Sequence, residues 1–162
     1  MKIEKKDDAI IAKLAIFLIW PFGSFLYSLL SAKTKSSQII FYLFMVLFGW
    51  TFIAETEALD SFRYVQKYEI FLNNPITNYL NALESYVTFE GGVKDIYLQL
   101  CFLITSVVAG GNYHALFALF ASVFAFFYIK SLRFMLNNKL FDYSIPAVIV
   151  VVCFTLSNTI FN

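Results

Sequence analysis

The chain has 162 residues, of which 60% are hydrophobic and 14% charged, and its formal net charge is +1. A water-soluble domain of this length keeps about a quarter of its residues charged, so this composition is typical of an integral membrane protein. A net charge so close to zero provides no extended field for nucleic acid. The sequence therefore predicts an all-α, polytopic membrane helical bundle whose surroundings are the lipid bilayer, with no nucleic acid among its partners.

Stretches without charge mark the predicted membrane segments, because a bilayer-crossing helix needs about twenty mostly apolar residues. One stretch, 96–129, is too long for a single crossing and contains Gly110-Gly111-Asn112. Gly-Gly is a turn signal, and Asn112 can cap the helix that follows. The sequence thus predicts a single membrane region, 1–162, with five segments near 14–32, 36–54, 96–109, 113–135 and 143–162 and a polar loop at 55–95.

The first segment raises a question of topology. Pro21 removes a helical hydrogen bond and predicts a kink, while a second segment follows at once, which disfavours a cleaved signal peptide. Lys33 and Lys35 predict a cytoplasmic connection and therefore an extracytoplasmic polar loop. The lysine-rich N-terminus also predicts a cytoplasmic position, with Lys2, Lys5, Lys6 and Lys13. Either the first segment is re-entrant around Pro21, or one of the basic clusters breaks the rule.

The polar loop contains the main candidate site. Two short helices are predicted there, at 54–72 and 76–89. On the first of them Asp60, Arg63 and Tyr64 share one face, because they lie three and four residues apart. Arginine offers a planar fork of donors that suits phosphates and sugar hydroxyls. The simpler alternative is a local ion pair on a solvated surface, worth at most about 1 kcal/mol.

Other polar residues carry weaker signals. Asp95 opens the third segment, and a helix N-terminus favours a negative charge there. Cys101 and Cys153 lie within apolar stretches and are expected to be small buried hydrophobic residues. His114 has no Cys, Asp or Glu within helical reach. We therefore expect no metal site and no cofactor.

Several segments, taken in order, resemble one protein family. A proline-bearing segment and a lysine-rich turn come first. The further segments are 39–44 (Ile-Ile-Phe-Tyr-Leu-Phe), 60–64 (Asp-Ser-Phe-Arg-Tyr), 94–100 (Lys-Asp-Ile-Tyr-Leu-Gln-Leu), 116–120 (Leu-Phe-Ala-Leu-Phe) and 126–132 (Phe-Phe-Tyr-Ile-Lys-Ser-Leu). Their order and spacing resemble the EpsG-like, Wzy-type bacterial polysaccharide polymerases, and the resemblance runs through essentially the whole chain.

The resemblance implies a multi-pass enzyme of the bacterial inner (cytoplasmic) membrane. Such an enzyme joins oligosaccharide repeats carried on undecaprenyl diphosphate, outside the cytoplasm, in exopolysaccharide, capsule or O-antigen synthesis. It implies that Asp60, Arg63, Tyr64 and Asp95 bind the lipid-linked glycan, while the catalytic residues remain unidentified. Other polysaccharide-export proteins are implied as partners.

The chain also departs from the family pattern. Family members are longer, and an arginine follows the Asn-containing segment that resembles 157–162. We therefore expect the chain to be the N-terminal part of a polymerase, inactive alone. The alternative is a small non-enzymatic membrane protein that acts as an assembly or interaction partner. A transporter or channel would need charges or broken helices at mid-membrane, and Pro21, Pro146 and Ser122 are the few hints of these.

Overall fold

A computed structural model describes residues 8–29, 31, 34–54, 60–89 and 95–137. Regular structure in these ranges is entirely helical, which confirms the all-α prediction for this part of the chain. The predicted segment at 143–162, with Cys153, lies outside the described residues. The helices are α1 Asp8–Ile19, α2 Pro21–Leu29, α3 Lys35–Thr51, α4 Asp60–Phe71, α5 Pro75–Thr88, α6 Ile96–Ala109 and α7 Tyr113–Asn137.

Within these ranges one helix is long and apolar enough to cross a membrane, and it is α7. Its apolar part, Tyr113–Ser131, has 19 residues, which correspond to about 28 Å of helix. A core helix of a soluble protein can pass the same test, but such a helix is mostly buried. Most of the apolar part of α7 is not buried. Two shorter apolar helical stretches, Ile10–Ile19 and Ile96–Ala109, accompany it.

The described helices fall into two compact units, divided after Leu47 and after Ala121. The first unit contains α1, α2, most of α3 and the second part of α7. The second unit contains the end of α3, then α4, α5, α6 and the first part of α7. Each unit has its own buried apolar core. The cores are Phe25, Leu29, Phe41, Met45 and Ala125 in the first unit and Tyr68, Phe71, Cys101, Phe102 and Leu116 in the second.

In the first unit, α1 and α2 form a sharp hairpin. The Ser24 hydroxyl donates to the Lys13 carbonyl oxygen at 2.8 Å, across 11 residues of sequence. In one straight helix these residues would be about 16 Å apart, so the chain reverses between them. The reversal occurs at Trp20, directly before Pro21, whose ring nitrogen has no hydrogen to donate. The predicted segment 14–32 therefore consists of the end of one short helix and a second helix folded back on it.

Aromatic rings and one polar pair join the helices of the first unit. Phe25 of α2 stacks on Phe44 of α3 with ring centroids 4.4 Å apart. The hydroxyls of Tyr42 in α3 and Ser122 in α7 are hydrogen bonded. Bonds of this kind between helices are common in membrane proteins, where no water competes for the polar groups.

In the second unit, α6 and α7 form a helical hairpin as the glycine pair predicts. Gly110 and Gly111 have φ values of +60° and +87°, the left-handed region that glycine enters at little cost. The Asn112 side chain then accepts a hydrogen bond of 2.9 Å from the His114 backbone N–H. This local chemistry ends α6 at Ala109 and begins α7 at Tyr113.

The described part of the predicted polar loop, residues 60–89, is folded onto the second core rather than extended away from it. Tyr68 and Phe71 of α4 place their rings 5.1 and 5.5 Å from the ring of Phe102 in α6. Helix α5 begins at Pro75, a residue well suited to the first helical turn, and it packs along α6. Residues 60–88 thus form two helices with a buried side and an exposed side.

Candidate functional site

The two faces of α4 divide the candidate residues from the core residues. Tyr68 and Phe71 are buried, whereas Asp60 and Arg63 are exposed. Burial raises the pKa of Tyr68 above its ordinary value, because the charged phenolate would lose hydration. The buried face of α4 therefore holds a neutral phenol, and the charged chemistry lies on the exposed face.

Asp60 and Arg63 form an ion pair across the first turn of α4. The guanidinium Nη1 donates to Oδ1 of Asp60 at 3.2 Å, and the two side chains are 63% (Asp60) and 67% (Arg63) exposed. An exposed pair of this kind contributes at most about 1 kcal/mol to stability. The contact uses one of the five N–H donors of Arg63, so the rest of the fork faces solvent or a ligand.

Tyr64 lies between the exposed face and the core. Its side chain is 37% exposed, and its ring meets the edge of the Phe120 ring with centroids 6.2 Å apart. Phe120 belongs to α7. The contact anchors the start of α4 to an apolar helix and leaves part of the phenol accessible beside Arg63.

Asp95 has a clear structural role. Its carboxylate Oδ1 accepts a hydrogen bond of 3.2 Å from the Leu98 backbone N–H and caps α6. This is the position at which an acidic side chain satisfies a free helix N–H group and complements the helix dipole. The expected preference for a negative charge at this helix start is thus met by a specific hydrogen bond.

The direction of the helices places all four candidates at one end of the second unit. A Cβ on Gly111 would lie 2.9 Å from the side chain of Leu72, so the end of α4 adjoins the α6–α7 turn. Tyr64, two turns earlier, meets α7 at Phe120 instead. Helices α4 and α6 therefore both run toward the turn, and their first residues, Asp60 and Asp95, lie away from it.

The structure also contains a polar site that the sequence reasoning missed, here named the Lys13 cluster (Lys13, Ser31, Thr34, Ser36 and Ser37). Lys13 is 3% exposed. Its ammonium donates to the hydroxyls of Ser31 at 2.9 Å, Ser36 at 3.3 Å and Ser37 at 2.6 Å. Thr34 and Ser31 bond in turn to Ser37 at 2.9 and 2.8 Å. The available signal in the sequence was the density of hydroxyl side chains in residues 31–37. The distribution of charge assigned Lys13 only to a basic N-terminus.

His114 is placed among aromatic rings at the start of α7. Its ring centroid lies 4.1 Å from that of Tyr113 and 6.4 Å from that of Trp50. Among the residues that the structure describes, no three His, Cys, Asp or Glu side chains gather as metal ligands would.

Comparison with known proteins identifies no relative of this chain: no family model, curated protein or solved structure matches it. The functional argument therefore depends on the geometry of its own residues. That geometry combines an exposed arginine at the start of α4, a phenol beside it and a capping carboxylate at the start of α6.

Proposed function

We propose that the chain functions in a multi-pass polysaccharide polymerase of the EpsG-like, Wzy type in the bacterial inner membrane. Its substrate is an oligosaccharide repeat carried on undecaprenyl diphosphate. The observation that supports this most directly is the exposed guanidinium of Arg63, held at the start of a helix that packs against apolar helices. An arginine in that position can pair with the diphosphate of a lipid-linked sugar.

Features of both units support a membrane location. In the second unit, Gly49 of α3 approaches α7 so closely that a Cβ there would lie 2.5 Å from the Phe117 carbonyl oxygen. Small residues at helix crossings and bonds such as Tyr42–Ser122 are typical of helices that associate in lipid. Large apolar side chains also remain exposed on α6 and α7, which in water would mark a partner or membrane surface. They include Val107, Val108, Phe126, Phe127 and Phe134.

The roles of the site residues follow from their contacts. Asp60 orients Arg63 through the ion pair, and the free part of the guanidinium fork binds a diphosphate oxygen pair. Tyr64 offers an aromatic edge and a hydroxyl for the adjoining sugar. Glycosyl transfer requires stabilisation of the leaving diphosphate as its charge develops. The sequence carries two arginines, Arg63 and Arg133, and the ion pair with Asp60 weakens the stabilisation that the Arg63 guanidinium can give to the diphosphate.

Binding of undecaprenyl diphosphate to the purified chain in lipid nanodiscs tests the proposal. We expect Arg63→Ala to weaken binding about tenfold, which corresponds to about 1.4 kcal/mol. Arg63→Lys should restore only part of the affinity, since an ammonium keeps the charge but not the fork. Arg133→Ala, which removes an exposed arginine at the end of α7, is the matched control. Equal affinities for the Arg63→Ala and Arg133→Ala variants would contradict the proposal.

The side of the membrane on which the loop lies requires a separate experiment. In a background of Cys101→Ala and Cys153→Ala, a single cysteine at Ser85 of α5 reports the position of the predicted polar loop. We expect a membrane-impermeant thiol reagent to label it in intact cells. Labelling that occurs only after lysis would overturn the extracytoplasmic assignment.

A non-enzymatic membrane partner is the second candidate, and one observation favours it. Asp60, Arg63 and Asp95 each make a hydrogen bond within the chain, whereas α5 and the residue that follows it expose apolar side chains that could pack against a partner. Those side chains include Ile76, Leu80, Val87 and Phe89, exposed by 66%, 56%, 66% and 93%. In this case the chain accumulates stably when expressed alone, and Leu80→Asp reduces association with its partner while Arg63→Ala does not. Rapid degradation of the chain expressed alone would count against this candidate.

A further inference from the structure

The α1–α2 hairpin has a polar base and an apolar tip. At the base, the ammonium of Lys13 is enclosed by the hydroxyls of its cluster. At the tip, where the chain reverses, large apolar side chains are exposed. These are Leu18, Ile19, Trp20 and Phe22, exposed by 85%, 87%, 61% and 51%. The buried polar groups of the hairpin thus lie at its base, and its most exposed apolar side chains lie at its tip.

The hairpin is too short to cross a bilayer. Helix α1 has 12 residues and α2 has nine, or about 18 and 14 Å of helix, against about 30 Å for the hydrocarbon core. A straight helix over residues 8–29 would be about 33 Å long, enough to cross, but Ser24 bonds back to Lys13. Both ends of the hairpin therefore lie on the same side as the Lys13 cluster.

The tip is chemically suited to hydrocarbon. No charged residue occurs between Lys13 and Lys33. The backbone at the reversal keeps helical hydrogen bonds, from the Trp20 N–H to the Ile16 carbonyl at 2.7 Å and from the Ser24 N–H to the Trp20 carbonyl at 3.0 Å. Backbone polar groups must be satisfied internally in lipid, and these two bonds reduce the number left free at the bend.

The base is chemically suited to the headgroup region. Lys35, the first residue of α3, is exposed, and the sequence adds Lys33 just before it and Lys5 and Lys6 ahead of α1. Three acids, Glu4, Asp7 and Asp8, lie among the N-terminal lysines, so residues 1–37 carry six lysines against three acids. Basic residues beside a membrane are attracted to anionic headgroups by about 1 kcal/mol each. The apolar tip thus suits the acyl chains of a leaflet, and the basic base suits the headgroups of the same leaflet.

We propose that α1 and α2 form a re-entrant hairpin that inserts its tip part-way into the bilayer and returns to the cytoplasmic face. The surface around Trp20 contacts lipid acyl chains, and the Lys13 cluster holds the two arms together at the headgroup level. Both basic clusters then lie in the cytoplasm, in agreement with the positive-inside rule. The inference rests on the membrane location in the proposed function and not on the polymerase activity.

Thiol labelling of the two flanks tests the reversal. In the background without native cysteines, single cysteines at Lys6 and at Lys35 report the chain before α1 and after α2. We expect both to be protected from an impermeant reagent in intact cells and both to react after lysis. Labelling of one flank but not the other in intact cells would show a full crossing and overturn the hairpin. The Ser85 cysteine reports the polar loop independently, so a failure there leaves the hairpin result interpretable.

Fluorescence of Trp20 tests the insertion. The chain has two tryptophans, so Trp50→Phe leaves Trp20 as the sole reporter. In vesicles of zwitterionic and anionic phospholipids, we expect lipids brominated on their acyl chains to quench most of the Trp20 emission, and aqueous iodide to quench little. The matched Trp20→Phe variant reports Trp50 under the same conditions. Strong quenching of Trp20 by iodide without quenching by brominated chains would overturn the proposal.

Discussion

Lys13 and Arg63 are two cations that the fold treats in opposite ways. Lys13 is 3% exposed and bonds to three hydroxyls, whereas Arg63 is 67% exposed and bonds to one carboxylate. The partner of Arg63 lies three residues away, but those of Lys13 lie 18, 23 and 24 residues away. The spacing of residues along the sequence therefore predicts the exposed pair but gives no indication of the buried cluster.

The two environments also differ in energy. A buried charge loses several kcal/mol of hydration, which only good hydrogen bonds can offset. An exposed ion pair gains little electrostatic free energy and loses little hydration. The stability of the fold thus depends on the hydroxyls around Lys13, while most of the Arg63 guanidinium remains accessible for ligand binding.

The largest effect on stability is expected from Ser37→Ala. The 2.6 Å bond is the shortest that Lys13 makes, and its loss leaves a buried ammonium short of an acceptor, so we expect a loss of about 1–3 kcal/mol. Unfolding in mixed detergent micelles measures it. Ser36→Ala is the matched control, and its 3.3 Å bond predicts a smaller loss. Equal small losses for both would mean that the cluster is hydrated rather than buried.

Asp95→Ala is expected to cost about 1 kcal/mol, because it removes the N-cap of α6. Asp95→Asn keeps a capping oxygen and should be close to neutral in stability. The same two variants separate structure from binding when their affinity for undecaprenyl diphosphate that carries an oligosaccharide is measured. If Asp95→Asn weakens this binding without a loss of stability, the carboxylate accepts hydrogen bonds from sugar hydroxyls as well as capping the helix.

Lys13→Met is expected to change stability by less than about 1 kcal/mol, despite removing a buried charge. Replacement of a buried charge by an apolar side chain of similar volume is often neutral, and Ser31, Thr34 and Ser37 remain bonded to one another. The double variant with Ser37→Ala should then show a coupling free energy, since the two residues are in contact. If the losses in unfolding free energy of the two single variants simply add, the two residues do not interact energetically.

The smallest effect is expected for the Asp60–Arg63 pair. A double-mutant cycle with Asp60→Asn and Arg63→Met should give a coupling of about 0.2–0.5 kcal/mol, falling as salt is added. Thermal unfolding at low and high ionic strength measures it. A coupling as large as that between Lys13 and Ser37 would indicate that the pair is shielded from solvent.

Local signals predicted much of the second unit. Gly110, Gly111 and Asn112 determine the turn through positive φ values and a side-chain cap, and Asp95 caps α6 through its own carboxylate. Residues 72–74 separate α4 from α5, close to the break between the two helices predicted at 54–72 and 76–89. Each of these features involves residues within a few positions of one another, so the sequence is enough to specify them.

Composition and local chemistry alone therefore determined that the described chain is helical, where several helices begin and end, and that Asp60 and Arg63 pair. Only the tertiary structure decided that α4 buries Tyr68 and Phe71 against α6, that α1 and α2 fold back at Trp20, and that Lys13 is enclosed. The physical reason is that burial depends on contacts between residues distant in sequence. A proline predicts a bend, but the Ser24–Lys13 bond and the hydroxyls of residues 31–37 determine how far the chain turns.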